Sequence, residues 1–211
     1  MRFWQTLFFL LVVRPLVLVV IGLNVRFRER LPARGPAILA ANHNSHLDTL
    51  VLMTLFPLRR LRALRPVAAA DYFCRGGWRE AFARGVMNIL PLDRKPRPGV
   101  DPLAGIDAAL AQGDIVILFP EGTRGEPETF KEFRSGIAHI AKRHPAVPVT
   151  PVFLHGLGKA LPRGEALLVP FFCDVFVGEP LTWGGDRDAY MATLEGRLRD
   201  LATGASLPAW E

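Results

Sequence analysis

Short apolar runs alternate with stretches of helical periodicity along most of this chain, and that alternation is the strongest constraint on its fold. The runs fall at Ala37–Ala41, Val67–Ala70, Val86–Leu92, Ile115–Phe119, Val149–Leu154 and Cys173–Val177. Each is of strand length, and several carry no polar residue, the pattern of strands buried on both faces. Between them lie helical segments at Leu47–Phe56, Trp78–Arg84, Leu103–Gln112, Ile137–Arg143 and Arg187–Thr203. Leu103, Ile106 and Leu110 share one helix face, and Gly113 is a stop signal. Tyr190, Leu194, Leu198 and Leu201 form a second stripe, with Asp186 placed to cap it. The expectation is an α/β fold: a mixed, largely parallel central sheet flanked by helices. Lys95–Pro102 and Gly125–Glu128 are expected as exposed loops.

The amino terminus follows another pattern. Phe3 to Leu23 is almost wholly apolar, broken only by Arg14-Pro15. Split there, it gives two pieces, Leu7–Val13 and Leu16–Leu23, each about 10–12 Å long as helix. A bilayer core is about 30 Å thick. Four forms compete: a cleaved signal peptide, one kinked span, a buried core helix, and a shallow membrane-inserted bend. The bend is the favoured form, with Pro15 turning the chain and Arg14 reaching headgroup phosphates. Arg26, Arg28, Arg30 and Arg34 follow directly, as expected beside an anionic cytoplasmic leaflet. Residues 1–23 are therefore expected to form a membrane-associated helical segment, and residues 24–211 the main domain.

The chain has 211 residues, a formal net charge of +6, and arginine far in excess of lysine. Its pI is about 10.0 and its mean hydropathy +0.21. A basic, apolar chain of this length favours one domain with anionic partners, such as phospholipid headgroups or phosphorylated substrates. Nucleic acid is not expected as a partner: the arginines form no single stripe, and no nucleic-acid-binding motif is present. Cys74 and Cys173 stand far apart and are expected to be free, buried thiols.

Two short stretches carry chemistry. Asn42–Asp48 reads Asn-His-Asn-Ser-His-Leu-Asp, directly after the Ala37–Ala41 run. His43 then lies on a strand-to-helix turn at the carboxyl end of a strand, where open α/β sheets place their ligands. Asp48 can fold back to accept from the imidazole, which fixes the tautomer and leaves Nε2 to take a proton from a hydroxyl. Two other readings stay open. Ser45-x-x-Asp48 is also a helix-capping pattern, and His43, His46 and Asp48 are possible metal ligands, although their spacing is not that of known zinc sites. The second stretch, Phe119–Arg124, reads Phe-Pro-Glu-Gly-Thr-Arg. Gly122 allows close approach of a ligand to the main chain, and Arg124 can grip a phosphate in a forked geometry. The alternative is a charged turn with a glycine in it. Arg94, at the end of Leu90–Arg94, is a further phosphate candidate, or half of a surface ion pair. Lys131 and Arg134 add charge downstream and are individually expected to be solvated.

In order along the chain stand Asn-His-x-Ser-x-x-Asp at 42–48, Leu-Asp-Arg at 92–94, Phe-Pro-Glu-Gly-Thr-Arg at 119–124 and Val-Pro-Val-Thr-Pro-Val at 147–152. This arrangement resembles the glycerolipid acyltransferases typified by the 1-acyl-glycerol-3-phosphate acyltransferases, over residues 36–178. The resemblance implies His43 as general base, with Asp48 orienting it. It implies Arg94, Glu121, Gly122, Thr123 and Arg124 as acceptor-binding residues. It also implies acyl-CoA or acyl-carrier protein as donor, a lysophospholipid acceptor, no metal and no bound cofactor, and an enzyme seated among membrane phospholipids at the cytoplasmic face. The rival functions are a membrane-associated thioester or phosphoester hydrolase, an acyltransferase for another lyso-lipid, and a non-catalytic lipid-binding module.

Overall fold

A computed structural model describes residues 2–70, 77–93, 99–123, 125, 130–160 and 172–204. Seven strands form one sheet in the order β1-β7-β6-β2-β5-β3-β4. They are β1 (Leu23–Arg26), β2 (Ala37–Ala41), β3 (Leu64–Ala69), β4 (Leu90–Leu92), β5 (Ile115–Leu118), β6 (Val149–His155) and β7 (Cys173–Val177). Every neighbouring pair is parallel except β6 and β7. The mixed, largely parallel sheet is the expected one.

The apolar runs are continuous because both faces of the sheet are covered. In β2, Ala37, Leu39 and Ala41 enter one core cluster, and Ile38 and Ala40 enter another. The first face packs against α1 (Arg2–Phe8, continuing as wider turns to Ile21) and α2 (Asp48–Thr54). The second is covered by α4 (Ala104–Ala111), α5 (Gly136–Arg143) and α7 (Arg187–Thr203). Two short helices, α3 (Gly77–Gly85) and α6 (Leu157–Ala160), complete the described set. The stop and cap signals behave as expected. After α4, Gly113 adopts φ +78°; its N–H donates to Leu110 O and that of Asp114 to Ala109 O. That pair of bonds is a Schellman closure. Asp186 caps α7 by accepting from Ala189 N at 2.7 Å.

The amino terminus departs from expectation. Arg14 and Pro15 both hold helical angles, and the helical run continues from Arg2 to Ile21 without breaking into two pieces. Phe9–Val13 and Leu16–Ile21 are π-helical. The wider turn eases the clash that a proline ring makes with the preceding turn of an α-helix. It also straightens the buried stripe of Gln5, Phe9, Val13, Val17 and Ile21. In a pure α-helix a four-residue repeat drifts by about 40° per step, at 3.6 residues per turn. Wider turns drift the other way, so the mixture keeps all five residues facing the sheet. Each buried apolar member contributes about 1.5–3 kcal/mol. Arg14 does not point outward; its Nη2 donates to Phe56 O at 3.2 Å.

Three further differences concern short segments. β1 was not expected, because Asn24 and Arg26 hide a strand with only one apolar side. β3 starts at Leu64, three residues earlier than Val67. Val86–Ile89 is a turn, not strand, with Asn88 at φ +58° bonding Leu64 O and Arg62 O through its amide. Cys173 is buried, and burial pushes its thiol pKa up, so it is an inert core residue. Cys74 lies outside the described residues, as do residues 95–98 and 126–128 of the two expected loops.

Candidate active site

β2 and β5 are adjacent parallel strands, so their carboxyl ends open side by side. The Asn42–Leu47 turn leaves one and the Phe119–Gly125 turn leaves the other. Asn42 starts the first turn by extending the sheet with its side chain. Its amide donates to Leu154 O at 2.9 Å and accepts from Leu154 N at 2.7 Å, as a backbone unit on β2 would. Asn42 is buried, and it fixes the position from which His43 departs.

His43 Nδ1 lies 2.8 Å from Asp48 Oδ2. A carboxylate cannot donate, so the ring donates through Nδ1–H, and proton transfer falls to Nε2. The same Oδ2 accepts from Asn44 N at 2.7 Å and Ser45 N at 2.8 Å. Ser45 Oγ accepts from Leu47 N at 3.3 Å. Capping and orienting are therefore one construction: Asp48 ties down the turn and the ring together. Its side chain is wholly buried and that of His43 is 19% exposed. A buried carboxylate against the ring can stabilise an imidazolium, so the pair is suited to accept a proton at Nε2. Asp48 Oδ1 is buried with no hydrogen-bond partner among the described residues. Phe119 stacks on the other side of the ring, with centroids 4.1 Å apart and planes 21° apart. His46 is exposed, and among the described residues no three His, Cys, Asp or Glu side chains are grouped to hold a metal ion.

The second turn is bonded to the first. Glu121 Oε1 accepts from His43 N at 3.1 Å, and Gly125 N donates to His43 O at 2.9 Å. Glu121 is 2% exposed. Burial raises the pKa of its carboxyl, opposed by hydrogen bonds from the N–H groups of His43 and Lys131. Such a side chain braces the two turns from inside. Gly122, at φ +69°, and Thr123 stand at the rim. Arg94 and Arg124 lie outside the described residues. Sequence reasoning paired His43 with Asp48 but assigned nothing to Asn42 or Phe119. The available signal was a lone amide at the exit of a fully apolar strand, where a buried polar group must find partners.

A sequence model of the family described as Acyltransferase matches residues 22–155. The chain belongs to the acyltransferase family. Its His43–Asp48 pair and its Glu121 brace lie within the matched region. Over 145 residues the acyltransferase chain is 32% identical to the chloroplastic 1-acyl-sn-glycerol-3-phosphate acyltransferase LPAT1 of Arabidopsis thaliana, covering 68% of this chain and 38% of that protein. Over 182 residues it is 26% identical to the 1-acyl-sn-glycerol-3-phosphate acyltransferase alpha of Bos taurus, covering 85% of this chain and 61% of the relative. It therefore spans less than two thirds of the length of either relative. The crystal structure of the 1-acyl-sn-glycerophosphate acyltransferase PlsC from Thermotoga maritima shares the fold, with a TM-score of 0.77 at 20% identity over 99% of this chain and 81% of that one.

Proposed function

We propose that this acyltransferase moves a fatty acyl group from a thioester to the free hydroxyl of a lysophospholipid, 1-acyl-glycerol-3-phosphate, in phospholipid synthesis. The observation that carries the reading is the His43–Asp48 pair bonded to the Glu121 turn at the sheet's carboxyl edge. The choice of acceptor follows the relatives, which are 1-acyl-sn-glycerol-3-phosphate acyltransferases.

In the proposed reaction His43 Nε2 removes the acceptor's hydroxyl proton as the oxygen attacks the thioester carbonyl carbon. The tetrahedral oxyanion is held by backbone N–H donors. It collapses by breaking the C–S bond, and the imidazolium returns its proton to the departing thiolate. The products are an ester and a free thiol, and no metal or bound cofactor enters this balance. Acyl-CoA or acyl-carrier protein is the donor. Arg94 and Arg124 are the proposed ligands of the acceptor phosphate, with Gly122 and Thr123 beside them.

The outward face of α1 supports a membrane seat. Phe3, Trp4, Leu10, Leu11, Val12, Leu18 and Val19 are all exposed, and Phe3–Ile21 is long and apolar enough to cross a membrane by length and composition. In this reading residues 1–23 lie in the surface of the cytoplasmic leaflet, among phospholipids, and deliver the acceptor sideways.

The test is thiol release from acyl-CoA and from acyl-carrier protein, each with and without lysophosphatidate. A transferase releases thiol slowly until acceptor is added, whereas a hydrolase is indifferent to it. His43→Ala is expected to abolish transfer while keeping the wild-type melting temperature. Full turnover by that variant would end the mechanism.

A further inference from the structure

Arg134 stands just before α5 and is exposed. Its main chain is tied to the second turn, its N–H donating to Pro120 O at 2.9 Å. Its side chain lies across Gly122. A β-carbon at position 122 would stand 2.8 Å from Arg134 Cδ and 2.9 Å from Nε, closer than real contacts allow. The Arg134 stem occupies the space that a side chain at 122 would take, and the backbone there, at φ +69°, favours glycine. Among the described residues, the Arg134 guanidinium has neither a hydrogen-bond partner nor an ion pair. The other arginines placed near backbone or acid are spent on protein: Arg28 bonds Leu55 O, Arg30 bonds Val177 O and Glu179, and Arg14 bonds Phe56 O.

We infer that Arg134 is a further substrate-binding residue, holding the phosphate of the acceptor beside the Gly122 turn. The inference rests on the proposed transfer to a phosphorylated lyso-lipid. A cation whose stem lies across Gly122, with its guanidinium N–H donors unpaired among the described residues, is placed to fork onto a phosphate. It is placed for the site: Glu121, next to Gly122 in the chain, bonds the main chain of His43. Such an arginine selects phosphorylated acceptors over neutral ones, because a neutral glyceride leaves its donors unpaired.

The experiment has two arms. In steady-state transfer, Arg134→Ala is expected to raise KM for lysophosphatidate about 10–100-fold, with kcat and the KM for acyl-CoA changed less than about threefold. Monoacylglycerol should be used as poorly by the variant as by the wild type, and Arg134→Lys should recover part of the loss. In the second arm, glycerol 3-phosphate is titrated into the inactive His43→Ala protein and into His43→Ala/Arg134→Ala, and only the first is expected to bind. An unchanged acceptor KM, or a rise confined to acyl-CoA, overturns the inference, as does equal binding in the second arm. If wild-type protein transfers to no acceptor yet Arg134 still governs headgroup binding, the reading of function fails and the role of Arg134 stands.

Discussion

Two turns leave the carboxyl edge of the sheet side by side, and they are built in opposite ways. The Asn42–Asp48 turn is held by side chains. Asn42 locks onto Leu154, and Asp48 gathers the imidazole and two backbone N–H groups onto one oxygen. The Phe119–Gly125 turn is braced from beneath by a buried carboxyl and then presents a glycine and an uncommitted guanidinium at its rim. The first suits a group that must hold one orientation while protons move. The second suits a surface that binds an anionic ligand, since donors already satisfied by protein have little left to offer.

Substitutions in the first turn should therefore strike turnover, and those in the second acceptor binding or stability. Among the residues that support His43, the largest effect is expected from Asp48→Asn. The amide can keep the backbone bonds but not the negative charge behind the ring, so kcat should fall about 10²–10⁴-fold. Thermal unfolding should remain cooperative and near the wild-type midpoint. A loss of less than about threefold would mean that Asp48 serves only the turn.

Asn42→Leu comes next. It keeps bulk but strands the buried N–H and C=O of Leu154, at about 1–3 kcal/mol for each unpaired group. Denaturant titration should show that loss. Because the departure point of His43 shifts, kcat should drop more than acceptor KM rises; the reverse pattern would place Asn42 in acceptor binding.

Glu121→Gln is the mildest and the most informative about bracing. Burial raises the carboxyl's folded pKa above its unfolded value, so the contribution of this group is present at low pH and is lost as pH climbs through the folded pKa. Gln keeps an oxygen for the His43 and Lys131 N–H groups and carries no charge. The variant should therefore gain in melting temperature relative to wild type between pH 4 and pH 8. A variant that instead loses ground with rising pH would show that the hydrogen bonds to the carboxylate outweigh its burial.

Much of this was readable from residue order. Strands buried on both faces betray themselves as unbroken apolar runs, so β2, β5, β6 and β7 were found close to their true bounds. Asp186 and Gly113 marked helix ends through local bonds that need no tertiary context. The failures share a cause. β1 is an edge strand half-buried on one side and exposed on the other, and its polar residues broke the pattern. At Val86–Ile89 an apolar run served a turn closed by the Asn88 side chain. Pro15 was expected to bend the chain, because a proline ring clashes in a normal α-turn, but a π-turn makes room for it.

The sequence by itself determined the α/β architecture, the spacing that lets Asp48 reach His43, and the apolar character of the first helix. These depend on spacing within one segment or on the period of one element. Only the tertiary structure decided that Asn42 is anchored to Leu154, that Glu121 is an internal brace on His43, and that Arg134 fills the space Gly122 leaves. Those contacts join residues brought together by sheet order and register, which no local periodicity encodes.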